Sequence, residues 1–480
     1  MSNPRDTQQY GNFKYIRHEE EGYVVISGIT KPVASLKIPN QINGLPVTHI
    51  GPGAFKSCSK LAKLILAPNV TIIEDEAFRG CSQLTSISFS AGLKEIGEAA
   101  FAECAQLKRV VFPPTLTSIH AYAFADCHSL QRTVFPDALE TIGAEAFLGC
   151  SQLNSPVLPA HLTCLQAGAF SHCDSITEIV LPSSLSKLSG EVFCGCHNLR
   201  KIVLPPALTS IGPYAFAHCS ALDNLTIPPF VEDIGAHAFE NCVQLHALEL
   251  PPQVTKLREQ IFSGCHHLIA LELPENLQEI GSFAFSDCFR LQTIALPAKL
   301  SSLRNFAFAN CKSLVAIQIP EGVTMIPDRA FMGCDNLVKA IVSPNLKEYD
   351  RHCFGKYCHL VRWSPDYTRK LPRPKFARAM CYEFGLGVER DQQLASAWYA
   401  KAAQEGDATA QLEMARRYAN GNGVEHNPTK AQEMLNRAAQ QGEAHIFRKL
   451  SAIYSYGRGV EENPQLGQNW LAKAEAIERQ

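Results

Sequence analysis

The stretch Ala100-Phe101-Ala102-Glu103-Cys104-Ala105-Gln106-Leu107 recurs along most of the chain. Phenylalanine stands at 55, 78, 101, 124, 147, 170, 193, 216, 239, 262, 285, 308, 331 and 354, a constant step of twenty-three with no slippage. Cysteine follows three positions after the first thirteen of these, and leucine or isoleucine six positions after, from Leu61 to Leu337. A fixed period of this length marks a solenoid. One copy cannot bury its apolar face alone, and stacked copies share one core.

The unit after Cys104 gives the shape of each coil. After Leu107, Val110 and Phe112 face one side while Val111 faces the other, the two-residue period of a strand with one buried face. Proline closes that strand at 113 and at the equivalent places from Pro136 to Pro320, since it has no N–H for a ladder. Leu116 to Ile119 predicts a second short extended segment. Gly97, Gly143, Gly212, Gly235 and Gly281 then suggest a tight corner. The Ala-Phe-x-x-Cys segment has the spacing of one helical turn, with Phe and Cys inward. Stacked at about 4.8 Å per coil, thirteen steps give an array about 60 Å long.

Residues 1–30 read as an N-terminal cap. A hairpin is predicted with Phe13, Tyr15 and Ile16 on one arm, Glu19-Glu20-Glu21-Gly22 as the turn, and Tyr23 to Ile29 on the other. The solenoid proper is read as 31–362. Its pattern, Leu-x-x-Ile-x-Leu-Pro-x-x-Leu-x-x-Ile-Gly-x-x-Ala-Phe-x-x-Cys, resembles the BspA-type leucine-rich repeat. The entry Ile38-Pro39, then Ile42-Asn43-Gly44-Leu45-Pro46-Val47, is similar to that family's usual beginning. The resemblance implies a parallel-β solenoid used for protein interaction, mostly in bacteria, in proteins that are often secreted or on the surface.

The repeat is lost after Arg362. Residues 363–375 hold Pro365, Pro372 and Pro374 among Arg369, Lys370, Arg373 and Lys375, and read as a basic, semi-stiff linker. From 376 to 480 a period of thirty-six takes over. Gly385-Leu386-Gly387-Val388 returns as Gly421-Asn422-Gly423-Val424 and Gly457-Arg458-Gly459-Val460. Asp391, Asn427 and Asn463 have the place of helix N-caps, the last two followed by Pro428 and Pro464. The glycines end the preceding helices. Tyr382, Tyr418 and Tyr454 form one expected core column, and Trp398, Met434 and Trp470 another. This all-α helical-hairpin array resembles the Sel-one-like repeat, a relative of the tetratricopeptide repeat, and implies adaptor function through protein contacts.

Composition bounds the function. The net charge is −2 over 480 residues, with no general pull toward nucleic acid or an anionic membrane. No apolar run reaches membrane-spanning length, and Met1 to Tyr10 is polar with no secretory signal after it. Thirteen of the eighteen cysteines fill one repeated slot, which reads as packing by reduced thiols in a reducing compartment. The expected location is cytoplasmic, with export lacking a cleaved signal peptide as the alternative.

Chemistry has few places to stand. His128, His172, His197, His218 and His266 flank the repeat cysteine, but the cysteine slot points inward, so they read as exposed turn histidines rather than bases for a nucleophile. His352, Cys353, Cys358 and His359 fall in one irregular copy with no recognisable zinc spacing, and read as an altered end coil. Cys194 reads as a partly exposed thiol beside the slot residue Cys196. No catalytic residue, cofactor or metal ligand is assigned.

The candidate surface is the outward strand column. It runs Ile65, Ser88, Val111, Val134, Val157, Val180, Val203, Thr226, Glu249, Glu272, Ala295, Gln318, Ile341. Five consecutive valines make an apolar stripe, and Arg109, Arg132, Ser155, Glu178 and Lys201 stand two positions earlier. An apolar patch rimmed by charge marks an interaction site. The other readings are self-association and the plain preference of valine for strands. The expectation is a non-enzymatic scaffold or adaptor with a protein partner, or else a bacterial protein acting on host proteins.

Overall fold

The computed structural model describes residues 7–342, 346, 348–349, 353–354, 359–362, 374–384, 390–455 and 460–478. The chain divides into two compact units, 1–362 and 363–480.

The first unit is a parallel-β solenoid. Each regular coil carries a three-residue strand and a two-residue strand. Arg109–Val111 lies parallel to Arg132–Val134, with Arg109 opposite Arg132 and Val111 opposite Val134. In the second ladder, Glu95–Ile96 lies between Ile72–Ile73 and Ser118–Ile119. The register is one repeat, so every inward column stacks on itself. The phenylalanine rings show this most directly. From Phe55 to Phe331 they are fully buried and stack face to face along the axis. Centroids are 5.0 Å apart at Phe55–Phe78 and 5.1 Å at Phe331–Phe354. A face stacked on both sides leaves each ring no contact with water.

The turn carrying Phe and Cys is not a helical turn, contrary to its spacing. Ala99 and Glu103 are left-handed, with φ of 50° and 62°. The N–H groups of Ala99, Phe101 and Glu103 donate to the next coil, to Ala121, Ala123 and Ala125 oxygens at 2.8, 2.8 and 2.7 Å. Those of Ala102 and Cys104 close locally on Ala99 and Phe101 oxygens. A helix would spend its donors inside the coil. The alternation satisfies each buried N–H and adds a third ladder between coils.

The corner glycines are also explained differently from expectation. Their φ angles are not left-handed. A side chain there would strike the backbone of the preceding coil: a Cβ on Gly143 would lie 2.5 Å from Ala121 N, and one on Gly235 2.3 Å from Pro213 N. Close approach selects glycine at these places.

At the N-terminal end, β1 (Gln8–Tyr10), β2 (Phe13–His18) and β3 (Tyr23–Ile29) form an antiparallel meander. β3 then pairs in parallel with Leu45–Ile50, so the hairpin prolongs the second ladder. Tyr15, Val24 and Ile26 seal the end of the core.

Among the described residues the second unit has six helices: α1 (Pro374–Phe384), α2 (Gln392–Gln404), α3 (Ala408–Asn420), α4 (Pro428–Gln440), α5 (Ala444–Ser455) and α6 (Pro464–Glu478). Pro374 and Lys375 belong to α1 rather than to a linker. The rest of the linker stretch lies outside the described residues, as do Gly385 to Val388 and Gly457 to Gly459. Asp391 accepts from Gln393 and Leu394 N–H, Asn427 from Lys430 N–H and Asn463 from Leu466 N–H. Gly421 ends α3 at φ 73°, its N–H on Arg417 O. Trp398, Met434 and Trp470 are only half-buried. In the first two hairpins the buried column is one residue later, at Tyr399 and Leu435. Arg378 and Lys401 instead lie over the Trp398 ring, at 4.6 and 4.4 Å.

Candidate functional site

The strand face of the solenoid carries the candidate surface. Val111, Val134, Val157, Val180 and Val203 are 49, 50, 86, 64 and 44% exposed. Their inward neighbours Val110, Ile179 and Ile202 are buried. The alternation holds because a strand turns successive side chains to opposite faces. Arg109, Arg132, Glu178 and Lys201 are exposed beside the valines. The outward column stops short of its last expected member. Lys339–Val342 is buried on both faces, and Ile341 is 5% exposed.

A fault in the ladders lies under the stripe. Ser155-Pro156-Val157 forms no strand, and the sheet parts between Arg132–Val134 and Glu178–Val180. Pro156 sits at the inward position and has no N–H to give. The Ser155 hydroxyl takes over as acceptor for Thr177 and Glu178 N–H, at 3.3 and 3.2 Å. The second ladder parts one coil later, between Cys164–Leu165 and Lys187–Leu188, where the Ser189 hydroxyl bonds Leu165 O. The widest steps of the aromatic stack, 6.1 and 6.0 Å, fall at Phe170–Phe193 and Phe193–Phe216. Val157, at the fault, is the most exposed of the five valines. Pro156 is visible in the sequence. The parting of the second ladder one coil later, where no proline interrupts it, is not.

The cysteine slot does more than fill space. Each thiol from Cys81 to Cys334 donates to the carbonyl of a phenylalanine in the preceding coil, at 3.0 to 3.4 Å. Burial pushes Cys81 and Cys196 up to about 12, and the other slot thiols with resolved shifts, such as Cys127, move the same way. This is the reverse of an activated nucleophile. His128, His172, His197 and His218 are exposed beside them, and His266 is half-buried. His197 faces Asp174 at 2.7 Å, and His128 lies 2.9 Å from Gly149 O. Cys194 is half-buried, its thiol raised by burial. Of the irregular copy, His352 and Cys358 lie outside the described residues, and Cys353 is buried. Among the described residues no group of three metal-ligating side chains converges.

The repeat pattern matches the BspA type leucine rich repeat region over residues 30–154, 140–269 and 232–362. The chain belongs to this family. Sel1 repeats match 376–407, 408–443 and 448–476. A leucine-rich repeat protein from Bacteroides ovatus is 26% identical, with a TM-score of 0.61, over 74% of this chain and 99% of its own. A leucine rich cell surface protein from Faecalibacterium prausnitzii is 23% identical over 76% and 96%, with a TM-score of 0.45. A Sel1 repeat protein from Oxalobacter formigenes is 31% identical over 21% and 41%, with a TM-score of 0.20. No protein of curated function matches the sequence. BspA-type and Sel1 repeat proteins are generally protein-interaction scaffolds and typically non-catalytic. Among the described residues no helix is long and apolar enough to cross a membrane.

The helical unit holds a cluster that periodicity did not single out. Arg417 is fully buried and pairs with Glu383 at 2.6 Å and Glu413 at 3.3 Å. Tyr399 donates to the other Glu383 oxygen at 2.6 Å, and Arg417 donates to Ser396 at 2.9 Å. Burial, with Glu413 beside it, raises the Glu383 carboxyl. The cluster ties α1, α2 and α3 together. Its members are specific to one repeat, so a search for recurring residues passes over them.

Proposed function

We propose that this chain is a non-enzymatic protein–protein interaction scaffold whose docking surface is the strand face at Val111, Val134, Val157, Val180 and Val203, with Arg109, Arg132 and Lys201 at its rim. One observation carries the reading: five consecutive coils of a BspA-type array present an exposed valine at the same place. Strand propensity favours valine at each site separately, but burying none of five leaves an apolar ridge in water, and such ridges mark contact surfaces. The cysteine slot offers little support for a catalytic reading, because its thiols from Cys81 to Cys334 are buried and bonded to carbonyls of the preceding coil.

The test is affinity capture from native lysate with the intact chain beside a Val134→Glu/Val180→Glu variant, both checked for folding. A protein captured by the first and lost by the second supports the reading. Identical capture by both rejects the stripe as the docking face. The unpaired thiol ladder suits a cytoplasmic protein. Export without a cleaved signal, toward host proteins, is the alternative use of the same surface, and a translocation reporter fused to the chain separates the two.

A further inference from the structure

The exposed charges beside the stripe are one-sided. Lys108, Arg109, Arg132, Arg200 and Lys201 are all exposed on the N-terminal side of the valine column. None of them has an ion pair among the described residues. Over the same five coils the two columns they occupy hold one carboxylate, Glu178. On the other side the places are taken by Pro114, Asp137, Ala160, Ser183 and Pro206, with no cation. The apolar run is bounded by Ser88 before it and by Thr226 and Glu249 after it.

The spacing of the stripe limits what can lie along it. Paired strands lie about 4.8 Å apart, and the phenylalanine rings behind the stripe step 5.3 to 6.1 Å, so four coil steps span about 19–22 Å. A helix with apolar residues at heptad a and d positions presents one about every 3.5 residues. At about 1.5 Å rise that is about 5.2 Å, or about 21 Å over four steps. An extended segment presents one side chain to a face every about 6.7 Å, about 27 Å over the same four, and overruns the stripe by at least about one coil. A helix keeps pace with all five valines, and Val157, the most exposed of them, meets its middle.

We infer that the occupant of this face is an amphipathic helix of about four turns, laid along the array axis, with leucine-like residues on the valines and carboxylates along the one flank that meets Lys108, Arg109, Arg132, Arg200 and Lys201. This rests on the strand face being the docking surface. The cations steer and orient the helix, and the valines supply the buried area.

The experiment uses the full chain and three labelled helical peptides of equal length, about six turns each, read by fluorescence anisotropy. The first has leucine at a and d with glutamate along one flank. The second replaces those glutamates with lysine, and the third keeps glutamate but has a central proline. The glutamate peptide is expected to bind at least tenfold more tightly than either control. Val157→Asp is expected to abolish that binding, and Arg109→Glu/Arg132→Glu to transfer the preference to the lysine peptide. Equal binding of the glutamate and lysine peptides, or of the proline peptide, overturns the inference. So does sedimentation as a dimer that Val157→Asp dissociates, which makes a second copy the occupant. If no peptide binds while Val134→Glu/Val180→Glu still loses a captured protein, the helix is wrong and the docking surface stands. If that variant loses nothing, the docking surface itself fails.

Discussion

The thiol of Cys127 donates to the carbonyl oxygen of Phe101 in the preceding coil, at 3.3 Å. The same oxygen already accepts the N–H of Cys104, also at 3.3 Å. Both lone pairs of a fully buried carbonyl are therefore used, one within the coil and one between coils. The cysteine is at once an apolar filler and the donor that links neighbouring coils.

Removing that donor while keeping the volume small isolates its contribution. Cys127→Ala is expected to destabilise the solenoid by about 1–2 kcal/mol, the usual range for a buried hydrogen bond with some lost packing. Cys127→Ser keeps a donor and is expected to lose less. Urea denaturation followed by far-UV circular dichroism measures both. Equal stability of the alanine variant and the parent would remove the bond from the account.

The thiols also set a response to alkali. Folding raises them from the ordinary thiol value of 9.0, to about 12 for Cys81 and Cys196, because burial disfavours the thiolate. Above about pH 9 the unfolded chain releases thiol protons that the folded chain retains. Stability therefore falls with rising pH. The contribution is fully present below about pH 9 and is lost progressively toward about pH 12. Denaturation midpoints measured from about pH 8 to about pH 11 should fall steadily. A thiol reagent at neutral pH should leave the buried slot cysteines of the folded chain, Cys81 to Cys334, unmodified.

Gly143 and Gly235 test the close approach of coils. Alanine at either is expected to cost about 1–3 kcal/mol, since its Cβ meets backbone rather than a side chain that can turn aside. Alanine at the half-buried Gly22, where a Cβ meets nothing within 4 Å, should be milder despite its left-handed φ of 73°. Thermal melts of the three variants make the comparison.

Arg417→Ala removes the fully buried cation beside Glu383 and leaves the more exposed Arg416, 3.0 Å from Glu383, as partner to both carboxylates. The expected cost is a destabilisation below the about 3–5 kcal/mol of a fully stripped buried pair, confined to the helical unit. All three tryptophans of the chain, Trp363, Trp398 and Trp470, lie in residues 363–480. Tryptophan fluorescence therefore reports that unit separately, and its denaturation midpoint should fall while the circular dichroism of the β-solenoid holds.

The sequence by itself determined the two architectures. A slot repeated thirteen times at a constant step leaves one way to bury Phe, Cys and Leu together, and N-caps that recur once per helical hairpin fix where helices begin. It also placed Val111 to Val203 on the outward side, because strand alternation is a local rule. Tertiary structure decided what depends on the neighbouring coil. Whether the Ala-Phe-x-x-Cys segment is helical turned on donors shared between coils. The corner glycines answer to backbone one coil away. The thiol bond reaches back into the coil before, and the wider steps from Phe170 to Phe216 show only in the stack. Arg417 could be placed only by packing, because a buried charge is defined by the partners that surround it and those come from three helices. A local period carries the contacts every copy makes; the contacts made once had to be read from the folded chain.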